Sequence, residues 1–124
     1  MYDVGGVYDE SKNLFDHHQI GGAGKSLRNI EYSSLGLVWK KFGEKIAGSK
    51  RAAEIIEKRL CAPIDAADNG FDLAENKYEV AQYYIQNLFY VMLPTWKEDN
   101  SNLDEIFLEC VNMAKNVLLR KIVQ

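Results

Sequence analysis

The hydrophobic pattern changes character near Ser33. Before it, short apolar stretches stand between glycines and acids. They predict the end of a strand at Tyr2-Asp3-Val4, a turn at Gly5-Gly6 and a polar turn from Asp9 to Asn13. Leu14-Phe15-Asp16 reads as a short extended segment, and Gly21-Gly22-Ala23-Gly24 as a flexible loop. From Ser33 onward the period is helical. Ser33 and Ser34 are suited to cap a helix whose inward face carries Leu35, Val38, Trp39, Phe42 and Ile46. Gly43 weakens its end and Gly48 closes it. A second helix starts near Lys50, with Ala52, Ile55, Ile56 and Leu60 inward, until Pro63 stops or kinks it. Asn69-Gly70 predicts a turn. A third helix, near Lys77 to Met92, is expected to bury Ala81, Tyr84, Ile85, Leu88 and Phe89, with Pro94 ending it. The last starts at Ser101 or Asn102, places Asp104 at the positive end of its dipole, and shows Leu103, Ile106, Phe107, Cys110, Ala114, Val117 and Leu118 as its stripe. The expectation is a mostly α-helical chain with one or two short N-terminal strands.

A length of 124 residues suits a single domain, 1–124, with a modest core. A net charge of −3 argues against a broad electrostatic grip on nucleic acid, though a lysine-lined groove would remain open to it. No apolar run approaches the ~18 residues needed to cross a bilayer. Cys61 and Cys110 fall on apolar helical faces and read as reduced core thiols of a cytoplasmic protein. A candidate functional acid, Asp3, stands where strand residues usually precede such a group, so the chain reads as part of a longer protein.

The chemistry concentrates at Asp16-His17-His18, which holds both histidines of the chain. Hard divalent cations such as Mn²⁺ accept carboxylate oxygen and imidazole nitrogen together, and two ions can share an aspartate. Alone, the tripeptide reads more readily as a surface turn. The acids at Asp3 and at Asp65 and Asp68 favour a metal site. Asp65 and Asp68 would share one helix face, and Ile64, Ala66 and Ala67 argue for partial burial, where an unpaired carboxylate is costly. Helix-end capping is the competing reading, supported for Asp68 by Asn69-Gly70. Gly24-Lys25-Ser26 imitates a phosphate-binding loop, but Gln19 stands where its first glycine is required. A plain linker is the simpler reading, and a loop letting Lys25 or Arg28 reach a phosphate is the functional one. Asp9 to Asn13 fails as a calcium loop because Leu14 occupies the glycine position. Tyr83-Tyr84 and Phe89-Tyr90 could stack on bases, but helical spacing favours core.

Several segments occur together in one order: Asp3-Val4-Gly5-Gly6-Val7-Tyr8-Asp9, Phe15-Asp16-His17-His18-Gln19, Ser33-Ser34-Leu35-Gly36-Leu37-Val38-Trp39, Phe42-Gly43, Asp65-Ala66-Ala67-Asp68-Asn69-Gly70 and Pro94-Thr95-Trp96. From residue 3 to about 120 the chain resembles the melanocyte-proliferating-gene family of metal-dependent hydrolases, itself similar to the DHH phosphoesterases. The resemblance implies an α/β parent fold, a two-metal centre using Mn²⁺ or Mg²⁺, and a phosphodiester substrate. By the same resemblance Asp3 would bridge the metals, His17 would be a ligand, and Asp68 the last ligand with Asp65 as the alternative. His18 would face the phosphate and Asp16 would orient the imidazoles. The family's first motif, expected upstream of Asp3, and its C-terminal substrate-binding half, expected after Gln124, are absent from these 124 residues. Leu93 stands where the family suggests a polar residue.

The expected function is that of the central part of a metal-dependent phosphoesterase acting on nucleic-acid ends or small nucleotides, with little activity of its own. A non-catalytic helical interaction module and a nucleotide-binding P-loop protein are the alternatives. Self-association through uncovered helix faces is expected, and a membrane partner is not.

Overall fold

The computed structural model describes residues 1–98 and 102–124, so a helix start at Ser101 lies outside the described residues. The chain divides into two compact units, Met1–Glu75 and Asn76–Gln124. It is mostly helical, with one two-stranded antiparallel sheet near the N-terminus.

In the first unit β1 (Tyr8–Asp9) pairs with β2 (Leu14–Phe15), placing Tyr8 opposite Phe15 and Asp9 opposite Leu14. A 3₁₀ turn, Glu10–Lys12, joins them. Asp9 caps it by accepting from the Ser11 and Lys12 amides, which is what the expected polar turn does. Tyr2 pairs with the Phe15 backbone as an isolated parallel bridge, so the expected strand end at Tyr2-Asp3-Val4 is reduced to one residue. Phe15 is fully buried, stacked on Tyr2 at 5.8 Å and set edge-on to Phe42 at 5.9 Å.

Helix α1 (Ser34–Ala47) begins and ends as expected: Ser33 accepts from the Gly36 amide, and Gly48 closes the helix at φ +80°. Its buried face differs. Ser34, Gly36, Leu37, Trp39 and Gly43 are buried, while Leu35 and Ile46 are exposed. Small residues win these positions because other groups come very close. An added Cβ at Gly36 would lie 2.7 Å from the Asp65 Cγ, and one at Gly43 would lie 2.8 Å from the Trp39 indole. Gly43 therefore sits within the helix as packing space rather than as a weak end.

After Ser49 caps α2 (Lys50–Ile56), helical backbone continues through a π turn, Glu57–Cys61, into α3 (Ala62–Asp68). Pro63 thus does not stop the helix. Its ring would clash with the carbonyl four residues back in a regular helix, and the wider π turn directly before it gives room. Ile56, Cys61, Ala62 and Ala66 are buried there, whereas Ile55, expected inward, is 44% exposed. The Asn69-Gly70 turn follows, with Gly70 at φ +70°.

In the second unit the helix expected from Lys77 is only α4 (Ile85–Met92). Residues 77–84 are rich in aromatic and β-branched side chains that lose rotamer freedom in a helix. Local partners compete as well. Asn76 accepts the Val80 amide at 3.2 Å, and Asn87 accepts the Tyr84 amide at 2.7 Å, which sets the helix start at Ile85. Ala81, Tyr83, Leu88 and Tyr90 are exposed, and neither α4 nor α5 (Leu103–Val123) fully buries a residue. Along α5, Ile106, Cys110, Val117 and Leu118 are half-buried while Leu103, Phe107 and Ala114 are exposed, so the sheltered stripe is narrower than expected. Asp104 and Glu105 occupy its first turn and Arg120 and Lys121 its last, each favourable to the dipole. Both cysteines are free thiols: Cys61 is buried, and half-buried Cys110 touches the Met92 sulfur at 3.8 Å.

Candidate metal centre

The site is built outward from Phe15. Because that ring fills the small core, the residues directly after it are held firmly, and the Asp3 amide donates to the Phe15 carbonyl at 2.9 Å. Asp3 is thereby placed beside His17, with its backbone at φ +55°, a left-handed conformation that aspartate tolerates better than most residues. The Gly5-Gly6 turn, at φ +101° and +64°, brings the Gly6 amide onto Asp16 Oδ2 at 2.7 Å. Gln19 adds a brace. Its Oε1 accepts the Tyr8 amide at 2.8 Å and its Nε2 donates to the Gly22 carbonyl at 2.8 Å.

Asp3, Asp16, His17 and His18 each offer a ligand atom within 4.8 Å of the others. Their roles are unequal. Asp16 is buried and its oxygens are engaged: Oδ2 by Gly6, Oδ1 by the His18 amide at 3.0 Å and by His18 Nδ1 at 2.7 Å. The amide hydrogen bonds from His18 and Gly6 hold its carboxyl down at about 2, so it is an anion at any ordinary pH. In turn the hydrogen bond that His18 donates to Asp16 raises the His18 pKa above its usual value. His18 is half-exposed and its Nε2 remains for another partner.

His17 is the better-sheltered imidazole, and its ring lies 4.1 Å from that of His18. Its Nδ1 is 3.4 Å from Asp3 Oδ1, and its Nε2 is 3.1 Å from Asp68 Oδ2. Asp68 stands at the C-terminal end of α3, where the helix dipole disfavours an anion, so a cation or a protonated imidazole beside it offsets a real cost. Three stretches far apart in sequence therefore converge on one imidazole.

Asp65 takes a different place. It is buried, and its Oδ1 accepts from the Ser33 hydroxyl at 2.5 Å, the Ser33 amide at 3.2 Å and the Gly36 amide at 3.1 Å. It caps α1 from another helix. Burial pushes its carboxyl up to about 6, against the lowering effect of those same hydrogen bonds. Lys25 pairs with Glu31 at 3.4 Å and Arg28 with Glu57 at 3.5 Å, so both expected phosphate contacts are engaged by carboxylates. No helix begins at residues 21–26, and the next one starts at Ser34, so the backbone cradle of a P-loop is not formed.

Sequence reasoning passed over Ser34, whose hydroxyl donates to Asp3 Oδ1 at 2.9 Å and lies 3.2 Å from His17 Nδ1. It also missed the brace made by Gln19, and it weighed capping by Asp65 without seeing that the capped helix is α1. The serine pair before Gly36 was read only as a local cap. A polar pair facing two small buried positions was the available signal.

Asp3, Asp16, His17 and His18 form the group whose carboxylate oxygens and imidazole nitrogens suit a hard divalent cation, and Asp68 meets His17 from its Nε2 side. Residues 1–124 match the family model MYG1_exonuc, described as "Uncharacterised protein family (UPF0160)". The chain is 26% identical to MYG1 protein C27H6.8 of Caenorhabditis elegans, covering 98% of this chain and 41% of the relative. It is 22% identical to MYG1 exonuclease of Bos taurus, covering 98% of this chain and 37% of the relative. The chain thus spans about two fifths of the length of these relatives. No solved structure matches it.

Proposed function

The chain belongs to the MYG1_exonuc family, and from that membership and the acid–histidine cluster we propose that it carries part of the metal centre of a nuclease-type phosphodiester hydrolase. The bovine relative's name, MYG1 exonuclease, supports nucleic-acid ends as the substrate, with small nucleotides as the nearest alternative. The observation that carries the reading is the cluster of Asp3, Asp16, His17 and His18, whose ligand atoms lie within 4.8 Å of one another, with Asp68 against the far nitrogen of His17.

In this reading Asp3, His17 and Asp68 hold Mn²⁺ or Mg²⁺, in the manner of the DHH phosphoesterases. Such an ion, when bound, would polarise a phosphoryl oxygen and stabilise charge on the reacting oxygens. The protein's own part is electrostatic and positional. Asp16 raises the His18 pKa and fixes its ring through Nδ1, so the protonated ring would turn an Nε2–H toward a phosphate oxygen. Asp16 thereby acts through His18 rather than on the substrate. Gly6 and Gln19 hold the loops from which these groups project. Because Asp3 and Asp68 lie at opposite nitrogens of His17, these donors hold at most one ion, and weakly, and a second ion would need donors beyond them. The 124-residue chain alone is therefore expected to hydrolyse little. Its free thiols favour a reducing, cytoplasmic setting.

Titration with Mn²⁺ tests the site. Ring resonances of His17 and His18 should broaden before those of any other residue, and unchanged histidine signals at millimolar metal would refute it. The full-length relative should release nucleotides from single-stranded ends in a Mn²⁺-dependent way. Self-association is a second reading, favoured by the exposed apolar residues Tyr83, Tyr90, Val91, Trp96 and Phe107 of the second unit. Sedimentation at increasing concentration would test it.

A further inference from the structure

The hydroxyl of Ser34 has one proton, and it lies 2.9 Å from Asp3 Oδ1 as a donor. A carboxylate can only accept, and Asp3 is the nearer and the charged acceptor, so that proton is assigned to Asp3. His17 Nδ1 lies 3.2 Å from the same hydroxyl oxygen, which can now only accept. The hydrogen must then be on Nδ1. With Nδ1 protonated in a neutral ring, Nε2 carries a lone pair, and it faces Asp68 Oδ2 at 3.1 Å. Two acceptors at that distance repel unless a positive charge lies with them. We propose that Ser34 is a positioning residue: it ties Asp3 to His17 and selects the Nδ1-protonated tautomer, so that Nε2 is presented to a divalent cation shared with Asp68. This rests on the metal-centre reading above and adds the device that orients its imidazole.

The choice of tautomer is contested in this site, which is why a dedicated group matters. His17 stands between two carboxylates, Asp3 on the Nδ1 side at 3.4 Å and Asp68 on the Nε2 side at 3.1 Å. Asp68 is the nearer and alone would draw the proton to Nε2, leaving no lone pair for a metal there. The serine hydroxyl tips the balance because it adds an acceptor for Nδ1 and holds the Asp3 carboxylate beside it. Ser34 is itself held in place. It is the first residue of α1, and its neighbour Ser33 is fastened to the buried Asp65 by hydroxyl and amide. Asp65 thus acts at one remove.

The test uses the 124-residue chain, with ring-nitrogen NMR of His17 at a pH where the ring is neutral, and Mn²⁺ binding. The wild type should show the proton on Nδ1. Ser34→Ala should move it toward Nε2 and weaken Mn²⁺ binding by about ten- to a hundredfold. Ser34→Thr, which keeps the hydroxyl, should restore both. A wild-type ring protonated on Nε2, or Ser34→Ala binding Mn²⁺ as tightly as the wild type, overturns the proposal. Should Ser34→Ala fail to fold, the wild-type nitrogen shifts still decide. If the wild type binds no Mn²⁺, the metal-centre reading falls. The tautomer then judges Ser34 by itself: Nδ1–H that is lost in Ser34→Ala sustains the selection, and Nε2–H ends it.

Discussion

Two aspartates three residues apart on α3 face different worlds. Asp65 looks inward and receives three hydrogen bonds from the start of α1. Asp68 looks outward, 42% exposed, toward His17 Nε2. One carboxylate closes the architecture and the other is free for chemistry. The turn of helix between them links the two tasks, because the residue that Asp65 anchors directly precedes Ser34, the bridge between Asp3 and His17. Burial alone therefore does not mark a functional acid. What the carboxylate accepts decides.

The sharpest way to break the contrast is Asp65→Ala. It strands the Ser33 hydroxyl and amide in a buried place, each worth about 1–3 kcal/mol when unsatisfied, with partial relief from entering water, and leaves the Gly36 amide only the Ser33 hydroxyl at 3.5 Å. A loss of about 3–4 kcal/mol is expected in urea denaturation at pH near 5. A loss below about 1 kcal/mol would mean that the cap does not organise α1.

Next comes the pH dependence of stability. Asp65 binds its proton more tightly folded, at about 6, than unfolded, near 3.8. The folded state is therefore relatively favoured at low pH, and this advantage is lost as pH rises through the window between those values. Stability should fall by roughly 2 kcal/mol from about pH 4 to about pH 7 through this group. Asp16 acts oppositely, since its carboxyl is held at about 2 and its contribution is lost only as pH falls below its ordinary range. His18, whose pKa is raised, adds a further fall only above its ordinary 6.5. Asp65→Asn should flatten the segment between about pH 4 and pH 6 while leaving the acid limb in place. Melting temperatures across that range read this directly, and an unchanged slope in Asp65→Asn would remove Asp65 as the cause.

Much of this was legible in the sequence, and the failures share a cause. The Ser33 cap, the closing Gly48 and the Asn69-Gly70 turn are local signals, and the structure has them where the sequence places them. The short strand at Leu14–Phe15 is likewise local. The inward face of α1 was only partly legible: Trp39 is buried as expected, but hydrophobic spacing also points to exposed Leu35 and Ile46 and misses the close contacts at Gly36 and Gly43. A glycine face is invisible to a hydrophobicity count. Asp65 carried a true sign of burial from its apolar neighbours, but its partners sit some thirty residues earlier, and no periodicity reports a cap from another helix. The third helix failed for a different reason. Asparagine side chains at Asn76 and Asn87 compete for backbone amides, and that competition outweighs a weak apolar pattern.

A smaller effect is expected at the other close approach. An alanine Cβ at Gly43 would meet the Trp39 indole at 2.8 Å, and that indole donates from Nε1 to the Ala53 carbonyl at 3.0 Å. Moving the ring stretches this tie between α1 and α2, although alanine itself favours the helix by up to about 1 kcal/mol. A net loss of roughly 1 kcal/mol should result, with blue-shifted or weakened Trp39 fluorescence as its signature. Unaltered emission would place the indole elsewhere.

The smallest change in stability belongs to the residue with the largest expected effect on binding. Asp68→Ala removes an exposed carboxylate from a helix C-terminus, where the dipole opposes it, so the lost contact to His17 and the relieved repulsion nearly cancel. Its unfolding free energy should stay within about 0.5 kcal/mol of the wild type. Mn²⁺ affinity should nevertheless fall by more than about a hundredfold, beyond what removing an outer partner achieves. The pair of results separates a ligand from a brace: a structural aspartate would lose stability and leave the metal unaffected. If Asp68→Ala instead behaves like Asp65→Ala, the two faces of α3 do the same work and the division drawn between them is wrong.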